Sequence, residues 1–194
     1  MDWRTPVTLT GKHVRLEPMT EVHVPGLAAV GLDDSIWEHM LYGKVHSEKD
    51  IRNWVRDIRS RPDLPFVAIH LETGRVVGAT RYLNIVPEFR GLEIGGTWYG
   101  LEFQRTAVNT ECKYLLLQYA FESLECIRVQ FKTDSRNVRS QRAIERIGAK
   151  HEGVLRNHMI LPDGRFRDSM YYSIIDSEWP VVKKQLEIKL QIQQ

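Results

Sequence analysis

One stretch narrows the fold more than any other: Leu92-Glu93-Ile94-Gly95-Gly96-Thr97-Trp98-Tyr99, a strand-like run broken by two glycines and followed closely by helix-capping residues. Glycine weakens a strand because it has no side chain to pack and more chain entropy to lose, so two of them imply a close approach to the backbone. Alternate residues of a strand share a face, which puts Leu92, Ile94 and Trp98 on one side and Glu93, Gly95, Thr97 and Tyr99 on the other. The second face is then a carboxylate beside vacant space. Thr106 and Asn109 are both good helix caps, and 110–124 contains only helix-compatible residues, with Leu116, Ala120 and Leu124 at four-residue spacing. A helix therefore starts directly after the glycine-bearing strand.

The rest of the chain supplies a sheet around that unit. Val14 to Met19 alternates as a first strand that Pro18 places near an edge, and 20–60 reads as helical and polar. Within it Ser47-Glu48-Lys49-Asp50 caps a helix whose apolar face is Ile51, Trp54, Val55 and Ile58. Phe66 to Leu71 and Val76 to Leu83, joined by Glu72-Thr73-Gly74-Arg75, form a hairpin. Ile127 to Thr133 alternates apolar and polar as a strand. A helix capped by Asn137 follows, with Ser140, Ile144 and Ile147 on one stripe and Gly148 as its stop. Gly153 to Leu161, the turn Pro162-Asp163-Gly164 and Phe166 to Ile175 make a second hairpin, and Ser177-Glu178-Trp179-Pro180 opens a last helix over about 178–192. Antiparallel pairs around a βαβα middle predict an α/β chain with one mixed, largely antiparallel sheet flanked by helices.

Bulk properties exclude several classes. The 194 residues suit a single core, so 1–194 reads as one domain. Lys plus Arg number 27 against 25 Asp plus Glu, a net charge of +2 that gives no case for wrapping nucleic acid or an anionic membrane. Cys112 and Cys126 stand in no disulfide or zinc pattern and read as buried free thiols. The opening Met1-Asp2-Trp3-Arg4 lacks the apolar core of a signal peptide, and no window approaches the roughly 18 apolar residues of a membrane span, so a reducing, cytoplasmic setting is expected. The histidines show no metal-ligand spacing, and no metal is expected.

The loop Gln104-Arg105-Thr106-Ala107-Val108-Asn109, with the strand before it and the helix after it, resembles the acetyl-CoA signature of the GCN5-related N-acetyltransferases (GNAT), of form Q/R-x-x-G-x-G/A. The resemblance extends to Asn137-Val138-Arg139-Ser140-Gln141-Arg142-Ala143, to Glu152-Gly153-Val154-Leu155-Arg156 and to the Pro162-Asp163-Gly164 turn, and is closest to the branch holding the ribosomal-protein alanine N-acetyltransferases. It covers about 13–176. It implies a GNAT-like sheet of about seven strands with a splayed parallel pair, Glu93 to Tyr99 beside Ile127 to Thr133, and acetyl-CoA lying between them. By the same carry-over, pyrophosphate lies against Arg105, Thr106, Ala107, Val108, Asn109 and Thr110 after Gln104, the backbone of Trp98 and Tyr99 bonds the pantetheine, Asn137 contacts it, and Ser140 approaches the sulfur as a proton donor. A helix N-terminus suits such an anion independently, since it presents unpaired N–H groups and about half a positive charge. The sequence departs from the pattern where Ala107 and Asn109 replace small or glycine positions, so position 107 must be helical for the site to form.

Each of these residues also has a plain structural role: Trp98 and Tyr99 as core aromatics, Asn137 as a helix cap, Ser140 as a first-turn serine. Arg136, Arg139, Arg142 and Arg146 follow helical spacing and read either as positive charge near the cofactor's phosphates, Arg142 foremost, or as a solvated face. Acetyl transfer needs a neutral amine, an acceptor for its proton, a stabilised oxyanion and a proton for the departing thiolate. Glu93, eleven residues before Gln104, stands where GCN5-type relatives place their base, the alternative being a partly exposed strand carboxylate. The resemblance to the ribosomal-protein branch also implies an alternative base, since some relatives there use a glutamate just after E-G-x-x-R. Here that stretch reads Asn157-His158-Met159, leaving His158 as the substitute. Three readings stay open: an acetyltransferase for protein N-termini, one for a small-molecule amine, and a CoA-binding module without turnover, as a monomer or homodimer.

Overall fold

The structure, a computed structural model, describes residues 3–192. Eight strands form one sheet: β1 (Leu9–Thr10), β2 (Val14–Pro18), β3 (Leu64–His70), β4 (Val76–Val86), β5 (Gly91–Tyr99), β6 (Arg128–Asp134), β7 (Lys150–Ile160) and β8 (Phe166–Ile175), in the order β1-β2-β3-β4-β5-β6-β8-β7. Each adjacent pair is antiparallel except β5 with β6, which is parallel. The one strand beyond the seven expected is β1, a two-residue pairing too short to leave an alternation in the sequence.

Helices cover both faces. On one side α1 (Val24–Gly31), α2 (Asp34–Trp37) and α3 (Glu48–Arg59) pack on β3, β4 and Trp98 around Trp37 and Trp54. On the other, α4 (Ala107–Gln118), α5 (Val138–Arg146) and α6 (Trp179–Ile192) enclose the main core with Leu92, Ile94, Val129, Phe131, Tyr172 and Ile174. The local signals behave as their chemistry requires. Ser47 caps α3 by accepting from the Asp50 amide, and all four residues of the expected apolar face are buried. Asn137 caps α5 through the Ser140 amide, and Gly148 ends it at φ +98. The chain from α4 continues through one π turn, Tyr119–Ser123. Cys112 and Cys126 are buried free thiols.

The alternation in β5 differs from the simple reading. Gly96 has φ +56, and the β4 register shifts between Ala79↔Trp98 and Arg81↔Gly95, the mark of a bulge. One inserted residue reverses the parity of everything after it. Leu92 and Ile94 therefore share the α4–α6 core with Tyr99, while Trp98 packs with Trp37 and Trp54 on the opposite side. Thr97 also turns to the α4 side, where Lys113 Nζ donates to its Oγ1 at 2.7 Å.

Candidate active site

Only three rungs join β5 to β6: Gly91↔Arg128, Leu92↔Val129 and Glu93↔Gln130. Beyond Glu93 the strands part, β5 staying on β4 as far as Tyr99 and β6 staying on β8 as far as Asp134. A strand unpaired along one edge leaves its N–H and C=O groups available to a ligand with amides of its own. Lys113 spans the parting from the α4 side, bonded to Thr97 of β5 and 5.9 Å from the centre of the Phe131 ring of β6.

At the far end of β5 the chain turns through Leu101–Phe103 into α4. Thr106 rather than Asn109 caps the helix, its Oγ1 accepting from Val108 N at 3.3 Å, so Ala107 is the first helical residue and Asn109 lies inside the first turn. The left-handed residue of the loop is Arg105, φ +62, so the alanine at 107 meets no backbone strain. Gln104 ties the loop down: its Nε2 donates to the Tyr99 carbonyl at 3.0 Å and its Oε1 accepts from Arg139 of α5 at 2.9 Å. Arg146 donates to the buried Thr110 at 3.0 Å, whereas Arg136 and Arg142 are exposed. The arginine stripe is thus partly a brace between α5 and the loop and partly solvated charge.

The two aromatic residues part company. The Trp98 carbonyl faces β4, where a Cβ on Gly78 would stand 2.2 Å from it, so Trp98 does not offer its backbone to the parting as expected. Its side chain is core. Tyr99 is also buried, and its carbonyl is already taken by Gln104, leaving its N–H. Val108 is a core residue at 2% exposure. Asn137 and Ser140 stand in the first turn of α5, half-buried.

Glu93 is neither on an open face nor partly exposed: it is 2% exposed. Its Oε2 accepts from Asn84 Nδ2 at 2.9 Å and Gln130 Nε2 at 2.8 Å and lies 3.5 Å from Lys132 Nζ. Side chains of β4 and β6 close over it, which the sequence of β5 alone does not reveal. The expected vacant space beside Gly95 is filled: a Cβ there would stand 3.0 Å from Leu83 Cδ2 and 3.3 Å from Glu93 Oε1, so these side chains occupy the room that the glycine leaves. Around Glu93, on the side of the sheet away from α4–α6, lies a polar field that sequence reading missed. It holds Arg81 with Asp63 (3.5 Å), Lys132 over the Tyr171 ring, Arg165 on Asp134 (2.8 Å), and Arg167. The signal was there in part, since Gln130, Lys132 and Asp134 alternate with Val129, Phe131 and Thr133 along β6. His158 lies in an irregularity of β7 between Leu155 and Met159, its Nδ1 3.0 Å from Ser169 Oγ. Burial, and then the positive Lys132 and Arg167, push its pKa below the usual value, so the ring is neutral at neutral pH.

Next to this field a cleft of about 500 Å³ opens between the segment Asp34 to Lys44 and the β7–β8 turn. Asp34, Glu38 and Asp163 line it together with Trp37, Met40 and Leu161.

A mixed sheet parted beside a capped helix N-terminus, with a charged cleft on its other side, is the architecture of an acyl-CoA-dependent acyltransferase. Comparison with known proteins narrows the class. Residues 13–150 match the acetyltransferase (GNAT) domain family. Over 109 residues the chain is 34% identical to the Bacillus subtilis (strain 168) protein named "Putative ribosomal N-acetyltransferase YdaF", the match taking in 56% of this chain and 58% of that protein. The structure of a "putative acetyltransferase" from T. thermophilus superposes with a TM-score of 0.90 at 39% identity, covering 97% of this chain and 99% of that one. The Mycobacterium smegmatis RimJ in complex with CoA-disulfide shares the fold, with a TM-score of 0.77 at 21% identity over 96% of this chain and 95% of that one. The chain belongs to the GNAT acetyltransferase family and is an acyl-CoA-dependent acetyltransferase. No helix among the described residues is long and apolar enough to cross a membrane.

Proposed function

We propose that the chain transfers the acetyl group of acetyl-CoA to a primary amine, and that the amine is the N-terminal α-amine of a protein. The observation that carries the donor site is the three-rung β5–β6 ladder ending at Glu93↔Gln130, with the α4 N-terminus beyond it. The groups present fit the donor: free strand edges for the amides of a pantetheine arm, and helix N–H groups with the small Ala107 for a pyrophosphate. Acetyl-CoA supplies an activated thioester. Arg105 to Thr110 cradle the phosphates with Gln104 and Arg142 at their border, the Tyr99 N–H and Asn137 orient the arm, and Ser140 holds a proton for the departing thiolate. Glu93 takes the amine proton through a water, while Asn84, Gln130 and Lys132 fix its carboxylate.

The acceptor reading leans on the name carried by the Bacillus subtilis relative and on a cleft bordered by two chain segments. An α-amine with pKa near 8 is already partly neutral at pH 7.5, which a lysine amine near 10.4 is not. The size of the cleft and its carboxylates Asp34, Glu38 and Asp163 favour a second reading, a small cationic amine. A thiol-release assay across N-terminal peptides and small amines decides between them. Peptides turned over with selectivity for their first residue are expected; turnover of free polyamines with none of peptides would select the second reading, and thiol release with no amine would remove both.

A further inference from the structure

We infer that Arg167 is the receptor for a carboxylate carried by the acceptor, close to the amine that is acetylated. The inference rests on the acetyltransferase reading and names a feature of its acceptor. Arg167 lies in β8, where Met170, Tyr172 and Ile174 turn to the α4–α6 core and Arg167, Ser169 and Tyr171 turn to Glu93's side of the sheet. It is only 5% exposed, yet its guanidinium makes no hydrogen bond or ion pair with any described residue, and its Nε is buried without a partner. Five N–H donors and a charge that cannot be shed are an expensive thing to leave so.

The carboxylates that act on it are engaged elsewhere. Asp134 accepts from Arg165 at 2.8 Å and from the Arg136 amide at 2.9 Å, with His39 3.7 Å away. Glu93 is held by Asn84, Gln130 and Lys132. Neither binds Arg167, although both favour its charged form. His158, neutral at neutral pH, adds no anion. Arg81, Lys132 and Arg165 each stand within 4 Å of a carboxylate, Asp63, Glu93 and Asp134 in turn, and Arg167 alone of the four cations does not. A planar fork of parallel N–H donors matches a carboxylate bidentately, so the chemistry that completes the field is an amine bearing a nearby carboxylate. That carboxylate has two sources: the α-carboxylate of a free amino acid, or an Asp or Glu side chain in the first residues of a protein.

The test uses matched acceptors: free amino acids against their amides, and peptides with Glu against Gln at the second position. Each pair is compared in the native chain, in Arg167→Lys and in Arg167→Met, with acetyl-CoA melting shifts to establish that each variant folds. In the native chain the carboxylate member of one pair is expected to show a KM lower by roughly tenfold or more. That ratio should fall close to one in Arg167→Met and to an intermediate value in Arg167→Lys, which keeps charge and loses the fork. Which pair shows it identifies the source. A native ratio near one in both pairs, or a ratio that survives in Arg167→Met, overturns the inference. Should the methionine variant not fold, the native and lysine ratios decide alone. Calorimetric binding of N-acetylated products and their neutral counterparts, with CoA present, keeps the two claims apart. A carboxylate preference in binding without turnover would retain Arg167 and remove the transferase reading; turnover without preference would do the reverse.

Discussion

Lys113 enters the core with no carboxylate to meet it, and burial pushes its pKa from 10.5 down to about 8. The folded chain then holds fewer protons at this site than the unfolded chain between pH 8 and 10.5, so the folded state gains stability as pH rises through that window. Below pH 8 the amine is charged in both states and the cost of burying it is fully present. The buried thiols Cys112 and Cys126, pushed up to about 12, work the other way from about pH 9, and the buried tyrosines Tyr82 and Tyr99 do so above pH 10, so the gain from Lys113 shows as a difference between variants rather than as a rise in the native profile. Chemical denaturation should therefore find Lys113→Met more stable than the native chain by a few kcal/mol at pH 7, with that advantage shrinking as pH rises from 8 to 10. An advantage that does not change with pH would mean the amine is solvated. Glu93→Gln keeps the shape of a second buried ionisable residue and removes its charge. Turnover should drop by about 10²- to 10⁴-fold at neutral pH with acetyl-CoA binding preserved, and the defect should shrink as rising pH deprotonates the amine unaided. Full activity in that variant would pass the base to His158. What was legible here was a carboxylate on a glycine-bearing strand. Its burial was not, because the donors that close over it come from Asn84, Gln130 and Lys132, residues whose meeting only the sheet order defines.

At the scale of elements the caps and the apolar stripes were read correctly, since Ser47, Asn137 and Gly148 act on neighbours within a few residues. The glycine pair in β5 was not, because two adjacent glycines suit both a continuous strand and a bulge, and only the register on β4 separates them. The choice decides which way Thr97, Trp98 and Tyr99 point. Gly96→Ala tests it: an L residue at φ +56 costs about 1–2 kcal/mol, and its Cβ would stand 2.9 Å from Arg81 Nε. The denaturation midpoint should fall accordingly, with a larger loss in acceptor KM than in acetyl-CoA affinity because Arg81 lies on the acceptor side. An unchanged midpoint would place the bulge elsewhere. The loop before α4 shows the converse: Thr106 and Asn109 were equally good caps by residue type, and the hydroxyl at 106 was chosen because it also reaches the Phe103 carbonyl at 2.7 Å.

For the whole molecule, a ligand that binds only the folded chain at a hundredfold excess over its Kd adds about 2.7 kcal/mol, which for a domain of this size is a rise of roughly 5 to 10 °C in Tm. Acetyl-CoA should produce that rise, and none at millimolar concentration would remove the donor site. The narrow ladder between β5 and β6 has a further consequence, for kinetics. Arg81 and Glu93 ride on the β1–β5 side of this seam, while Lys132, Asp134 and Arg167 ride on the β6–β8–β7 side. Three rungs are little to hold two such rafts in alignment, so whatever lies in the parting sets the spacing of the charges that receive the acceptor. An amine arriving first would meet a receptor not yet gauged to its size. If the donor fills the parting, it is expected to bind before the acceptor, with CoA leaving last: spent CoA should compete with acetyl-CoA, while the acetylated product should inhibit without competing against it, and the reverse pattern would show that the rafts are already aligned without a wedge between them.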